Sequence, residues 1–392
     1  MLKEIFRVFW NELRVVSRDK GILIFIVLAP LLSPLLYSYT YTNEVVREVP
    51  CAVVDDSHSA LSRELIRKVD ATPGVNVACL CHSMAEAEER MKRREVYGIL
   101  HIPSSFSKDV ARGKQTHVGY YSDMGSMLYY KTMLIAVNSL ALDMGKEIRI
   151  AQYLHGTTDR QEALSKMPVE YDYTALFNPQ GGFACFLIPP VLMLIIQQTL
   201  LLGVGMQMGN TREKYGCPMP RKGSVGDFIL GKALVYFCIY LVMAIYMFTV
   251  ITRSFHLQHL GDYWTFIAFV VPYILACIFF AMCLSFLVYR REDCILLFMF
   301  LSVPFLFVSG ISWPRTAIPQ LWQWVSCLIP STFGMNGYVR IASLGASLLD
   351  VSKEFFALWV LAIAYFFLAF LLYERQGHVN PRHVPSPAPL AS

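Results

Sequence analysis

The sequence predicts a multi-pass α-helical membrane protein with six transmembrane helices, both termini cytoplasmic, and an inserted α/β extracytoplasmic domain with a long helix. Three observations lead there. Of 392 residues, 55% are hydrophobic and 16% charged, against about 25% charged in soluble proteins. Stretches without Asp, Glu, Lys or Arg are long and clustered, at 21–43, 173–211, 233–252, 263–289, 294–314, 316–339 and 355–373, and about 20 apolar residues cross a bilayer core. Residues 44–172, in contrast, hold 16 basic and 18 acidic side chains and have the composition of soluble protein.

The net charge of +5 is an orientation signal. Nucleic-acid binding would need Lys and Arg clustered on a soluble domain. The one such run, Lys92, Arg93 and Arg94, is flanked by Glu88, Glu89 and Glu95 and reads as a solvated helix face, so no nucleic-acid partner is expected. Outside 44–172 there are 18 basic and 11 acidic residues, and this excess flanks the spans.

Residues 1–20 form a cytoplasmic interfacial helix. Ile5, Phe6, Phe9, Trp10, Leu13 and Val16 recur at three-to-four spacing among Lys3, Arg7, Arg14 and Arg18, the pattern of a helix lying on a membrane surface; a soluble partner surface is the alternative. These residues carry eight charges and the following apolar run has no small-residue cleavage site, so no secretory signal is expected. The spans fall at 21–41, 183–206, 228–251, 264–288, 294–309 and 355–373, the last five within 181–373, with a cytoplasmic tail at 374–392. The run 316–339 contains Pro319, Pro330, Gln320, Gln323, Asn336, Trp322 and Trp324, a mixture suited to an interfacial or re-entrant segment. Short loops on one side hold Arg212, Lys214, Arg221, Lys222, Arg290 and Arg291, and the positive-inside rule makes that side cytoplasmic.

Within 42–180, Val49–Asp55, Val75–Cys81, 96–102 and 116–121 read as strands. Residues 59–69 and 83–94 read as helices, the second opened by a Ser83 and Glu86 capping pattern. Strands alternating with helices imply an α/β domain. A long helix follows over 124–154. Met127, Leu134, Ala141 and Ile148 repeat every seven residues, with Ile135 and Leu142 in the same stripe; the stripe packs on the α/β unit or pairs with a second copy.

Little chemistry is offered. Cys51 could bridge Cys79 or Cys81, or all three serve as small core residues. Cys79, Cys81 and His82 lack a second ligand pair for a metal, so neither a metal site nor a catalytic residue is expected. GDFILGK at 226–232 fits GxxxxGK, but Ala233 stands where a hydroxyl must hold magnesium, so this chain binds no cofactor of its own and hydrolyses no ATP. The spans hold one titratable side chain of note, Lys232, close enough to an inner end to snorkel. Gln197 and Gln198 are candidates to line a substrate path or to hydrogen-bond a neighbouring helix.

AVVDDSHSALSREL (52–65), YGILHIPSSFSKDVARGK (97–114), YYSD (120–123), FNP (177–179), NTREKYG (210–216) and SGISWPRTAIPQLWQWVSCLIPST (309–332) follow in order along the chain. Together they resemble the ATP-binding-cassette exporter permeases of the type-two class, in the branch with a large extracytoplasmic domain between the first and second spans. Cys217 departs from the Thr common there, and PMPRKGSVGDF is not a typical helix sequence.

The resemblance implies a permease subunit without its own ATPase motif. It would move a drug-like, lipid or other amphiphilic substrate outward across the inner membrane, while separate ATPase subunits bind ATP and Mg. It further implies a homodimer or heterodimer of permeases and, in bacteria with two membranes, a periplasmic adaptor and outer-membrane channel. The ATPase-coupling loop falls at 207–227 with Thr211, Arg212, Glu213, Lys214 and Gly216; the outer re-entrant segment falls at 310–340 with Gly310, Pro314, Pro319 and Pro330. The competing reading is a membrane-anchored receptor or assembly scaffold whose outer domain binds a protein.

Overall fold

A computed structural model describes residues 2–43, 45–153, 177–178, 182–215 and 224–379. Two units emerge: Val45–Thr174, and Met1–Glu44 together with Ala175–Ser392.

The second of these is helical. An amphipathic helix α1 (Leu2–Arg18) leads into α2 (Lys20–Thr40), which Asp19 caps by accepting from the Gly21 and Ile22 amides. The π-helical turn Ile24–Leu28 lies just ahead of Pro30, where the missing proline N–H already interrupts the hydrogen-bond ladder. Then come α7 (Phe183–Tyr215), α8 (Val225–Ser254), α9 (Tyr263–Leu284) and α10 (Arg291–Val308). Two short helices, α11 (Gln320–Ser326) and α12 (Pro330–Leu344), precede α13 (Ser352–Val379).

Among the described residues, five helices are long and apolar enough to cross a membrane: α2, α7, α8, α9 and α13. The remaining expected span, 294–309, lies in α10, whose first turn is Arg291, Glu292 and Asp293. Its apolar part is therefore short for a bilayer crossing. Residues 316–339 form no continuous helix: Cys327–Ile329 separate α11 from α12, Pro319 and Pro330 stand at the two starts, and Gly310 turns with φ +85°.

Burial ranks the helices. The apolar windows of α7 and α9 are each 72% buried, against 28% for α2 and 17% for α13, so α7 and α9 form the centre. Tyr236, Tyr240, Tyr273, Phe248 and Phe269 are fully enclosed there. Close helix contact rests on small residues: a Cβ on Gly205 would lie 2.6 Å from Cys294 Sγ of α10, and one on Gly231 of α8 would lie 2.9 Å from the Ile5 carbonyl of α1. The latter approach brings α1 onto α8. Glu12 and Val16 are buried, whereas Phe6 and Trp10 remain exposed.

The Val45–Thr174 unit is built on a sheet ordered β2-β1-β3-β4, from β1 (Val49–Asp55), β2 (Val75–Cys81), β3 (Gly98–Ile102) and β4 (Gly119–Ser122). The first three are mutually parallel and β4 runs antiparallel to β3. Helices α3 (Ala60–Asp70), α4 (Met84–Lys92), α5 (Phe106–Ala111) and α6 (Met127–Tyr153) complete the unit. Strand alternation splits the core in two. Val49, Cys51, Val53 and Leu100 pack with Leu65 and Val69 of α3, Phe106 of α5 and Met133 and Met144 of α6. Ala52, Val54, Ile99 and Cys81 pack with Ala87 of α4.

That split removes one option for the cysteines. Cys51 lies in the first cluster and Cys81 in the second, with Cys79 packed against it; all three are free thiols, and burial pushes Cys51 up to about 12. Helix α6 packs on the sheet by a line next to the expected stripe. Its buried line is Met133 and Met144, with Val137 and Leu140 packed alongside. Met127, Leu134, Ile135 and Leu142 of the seven-residue stripe are exposed, because the line that α6 turns to the sheet, Met133, Val137, Leu140 and Met144, has the same spacing at a different phase.

Candidate functional site

Four of the five residues expected in the coupling loop, Thr211, Arg212, Glu213 and Lys214, occupy the last turn of α7. Helix α7 runs unbroken through Thr211, Arg212, Glu213 and Lys214; Gly216 lies outside the described residues. At Gly209 a Cβ would be 3.0 Å from the backbone C and O of Arg290 and N of Arg291, so glycine lets α7 touch the chain between α9 and α10. One turn on, Arg212 is buried. Its Nη1 donates to the carbonyls of Ser285 (2.9 Å), Phe286 (3.1 Å) and Val288 (2.5 Å), and the guanidinium stacks 4.9 Å from the Phe286 ring. These carbonyls end α9, where a helix leaves acceptors unsatisfied and favours a cation.

Arg212 is therefore an internal staple at the base of the exposed turn. Glu213 and Lys214 are exposed, and Thr211 bonds back to the Gln207 carbonyl at 2.9 Å.

Beneath this turn lies an ion pair that the sequence reading missed. Lys232 does not snorkel: it is 3% exposed and its Nζ lies 3.2 Å from Glu12 Oε1, with Glu12 5% exposed. Lys232 also donates to Gln207 Oε1 (2.8 Å), Tyr236 donates to Glu12 Oε1 (2.8 Å), and Gln207 Nε2 donates to Glu12 Oε2 (3.3 Å). The network closes on itself across α1, α7 and α8. A signal was available, since Glu12 stands four residues from Val8 and four from Val16, on the inward line of an amphipathic helix.

A second charged contact joins Asp19 to Arg291, at 2.7 Å to Oδ1 and 3.2 Å to Oδ2, with Asn210 Nδ2 donating to Oδ2 at 3.3 Å. Burial raises the Asp19 carboxyl, but Arg291 and the Ile22 and Gly21 amides outweigh it and hold it below its ordinary value. A depressed carboxyl adds stability that is full above its unfolded value, about 4, and is lost as pH falls through the lowered folded value. Thermal melts taken below about pH 4 should therefore show an acid-labile contribution. It should be missing in Asp19→Asn, which retains a capping oxygen without the charge; an unchanged acid dependence in that variant would count against the latch.

Gln197 bonds a neighbouring helix. It is fully buried, and its Oε1 accepts the Ser331 backbone N–H at 2.7 Å, satisfying the first turn of α12. Gln197→Leu should destabilise the protein by about 1–3 kcal/mol, the cost of stranding a buried donor, read as a shift in detergent melting. Both amide atoms of Gln198, in contrast, are enclosed without a hydrogen-bond partner among the described residues.

The sequence model of the ABC-2 family transporter protein matches residues 20–371. The chain belongs to the ABC-2 transporter family. No match is found among curated proteins. As an ABC-2 family member it is a multi-pass membrane protein, and the family implies a membrane subunit served by a partner ATPase. The matched stretch contains α2 to α12 and the Arg212 staple, while α1 with Glu12 precedes it.

Proposed function

We propose that this chain is the permease of an ABC exporter, with six spans, inward termini and the Val45–Thr174 unit outside the inner membrane. A separate ATPase binds ATP and Mg and drives a drug-like, lipid or other amphiphilic substrate outward. The observation that carries this reading is the last turn of α7, where exposed Glu213 and Lys214 directly follow a side chain pinned to the end of α9. A partner pressing on that turn acts on both central helices at once. A partner can shift an equilibrium only through contacts that differ between two states, and a charged turn on a rigid anchor provides such contacts.

Other features support the finer points. Arg14, Arg18, Lys20, Arg212, Lys214, Arg290, Arg291 and Arg375 flank the helix ends assigned inside, in line with the positive-inside rule. Exposed apolar side chains along α10, among them Leu296, Phe300 and Phe307, suit a sixth span. The turn at Gly310 and the helix starts after Pro319 and Pro330, with Pro314 between, suit an outer re-entrant segment. Gln198 suits a polar path, and exposed Leu128, Ile135 and Leu142 on α6 suit pairing of two permeases. A periplasmic adaptor and outer-membrane channel would complete the route in a two-membrane cell.

The test is co-purification of the ATPase subunit in mild detergent. Charge reversal at the exposed pair, Glu213→Lys with Lys214→Glu, should cut recovered ATPase several-fold while membrane insertion stays unchanged. Full recovery by the reversed chain would remove the coupling role.

A further inference from the structure

A cavity of about 740 Å³ lies within the Val45–Thr174 unit, between the first sheet face and helices α3, α5 and α6. Pockets of roughly 300–1,000 Å³ are the size class for small ligands. Its apolar wall includes Leu65, Phe106, Leu140 and Met144, and among the described residues its one lining residue of fixed charge is Lys114, beside Gln115, Thr116 and His117. No acidic side chain among the described residues lines it. Glu147, two residues beyond the lining Gly145, is held by Lys68 at 2.5 Å, so it does not compete with Lys114, which is exposed at the cavity rim.

Two more observations point to an occupant. Gly145 lies in the interior of α6, where glycine is disfavoured, and among the described residues nothing lies within 4 Å of a Cβ built there. The bare backbone leaves this wall of the cavity wider. The Thr116 hydroxyl, on the same lining, is enclosed with no hydrogen-bond partner among the described residues.

We infer that this cavity binds an anionic amphiphile with a single long acyl chain, the chain against Leu65, Phe106, Leu140 and Met144 and the acidic head at Lys114 and Thr116. The apolar wall sets chain burial, and the lone cation selects head charge. The inference stands apart from the transport reading, since it concerns binding to one unit and requires neither ATP nor a partner.

The test uses the full-length chain in native membrane vesicles without ATP, exposed to a diazirine-bearing long-chain carboxylate and to the alcohol of equal length. Peptides from 106–118 and 137–148 should carry the carboxylate label. Gly145→Trp should bring that label to background, and Lys114→Glu should lower carboxylate labelling several-fold while leaving the alcohol unchanged. If Gly145→Trp disturbs folding, the smaller Gly145→Leu and the rim variant Lys114→Glu still decide the matter. Equal labelling of wild type and both variants, or labelling confined to the spans, overturns the inference. Labelling that appears only after the chain is cut within 154–174 also overturns it, by giving the cavity to this chain's own segment.

Discussion

Glu12→Ala should lower the stability of the helical unit by about 3–5 kcal/mol, the cost of leaving one member of a buried ion pair uncompensated. Lys232 would then stay enclosed at 3% exposure with Gln207 as its remaining oxygen partner at 2.8 Å, and the Tyr236 hydroxyl would lose its acceptor. Fluorescence-detected size exclusion after heating measures the effect in crude detergent extract. The double variant Glu12→Leu with Lys232→Met should recover most of the loss, because replacing a buried pair by apolar side chains is often neutral or better. Equal melting of wild type and Glu12→Ala would show the pair to be open to water. Tyr236→Phe removes one hydrogen bond to a charged group and should cost about 1.5–3 kcal/mol.

Arg212→Ala should be comparably damaging, at about 2–4 kcal/mol, since it strips three carbonyl acceptors at the end of α9 of a shared charged donor and hydrogen bonds to charged groups contribute about 1.5–3 kcal/mol. Arg212→Lys should recover only part of this, because an ammonium cannot reproduce a planar guanidinium that both bonds carbonyls and stacks on Phe286. The discriminating measurement is Glu213→Ala, whose exposed side chain should leave melting unchanged. A variant pair in which Arg212→Ala melts like wild type would reject the staple.

The order of elements was legible because two periodicities carry it. Val49–Asp55 and Val75–Cys81 are strands at the expected residues, since apolar runs bounded by turn residues bury on a sheet. Helix α5 escaped notice because Phe106–Ala111 is short, with too few residues to display a period. The stripe on α6 left two readings open, because a seven-residue repeat is indifferent to which face meets the core. At the helix ends, charged residues looked like a boundary between membrane and water. Arg212, Glu12 and Lys232 instead satisfy one another or helix ends far along the chain, and such pairings leave no local signature. Only Glu12, a carboxylate on an inward stripe, carried a hint.

The Asp19 and Arg291 contact has a bearing on how the chain is made. The partners are 272 residues apart, and Glu12 waits 224 residues for Tyr236. Synthesis at about 5–20 residues per second separates Asp19 from its partner by on the order of tens of seconds. Contacts of such long reach close late, so during biogenesis the first helix and first span sit in the membrane with their carboxylates still unmatched. Arrival of Arg291 therefore marks the moment when the start of α2 can lock to the start of α10.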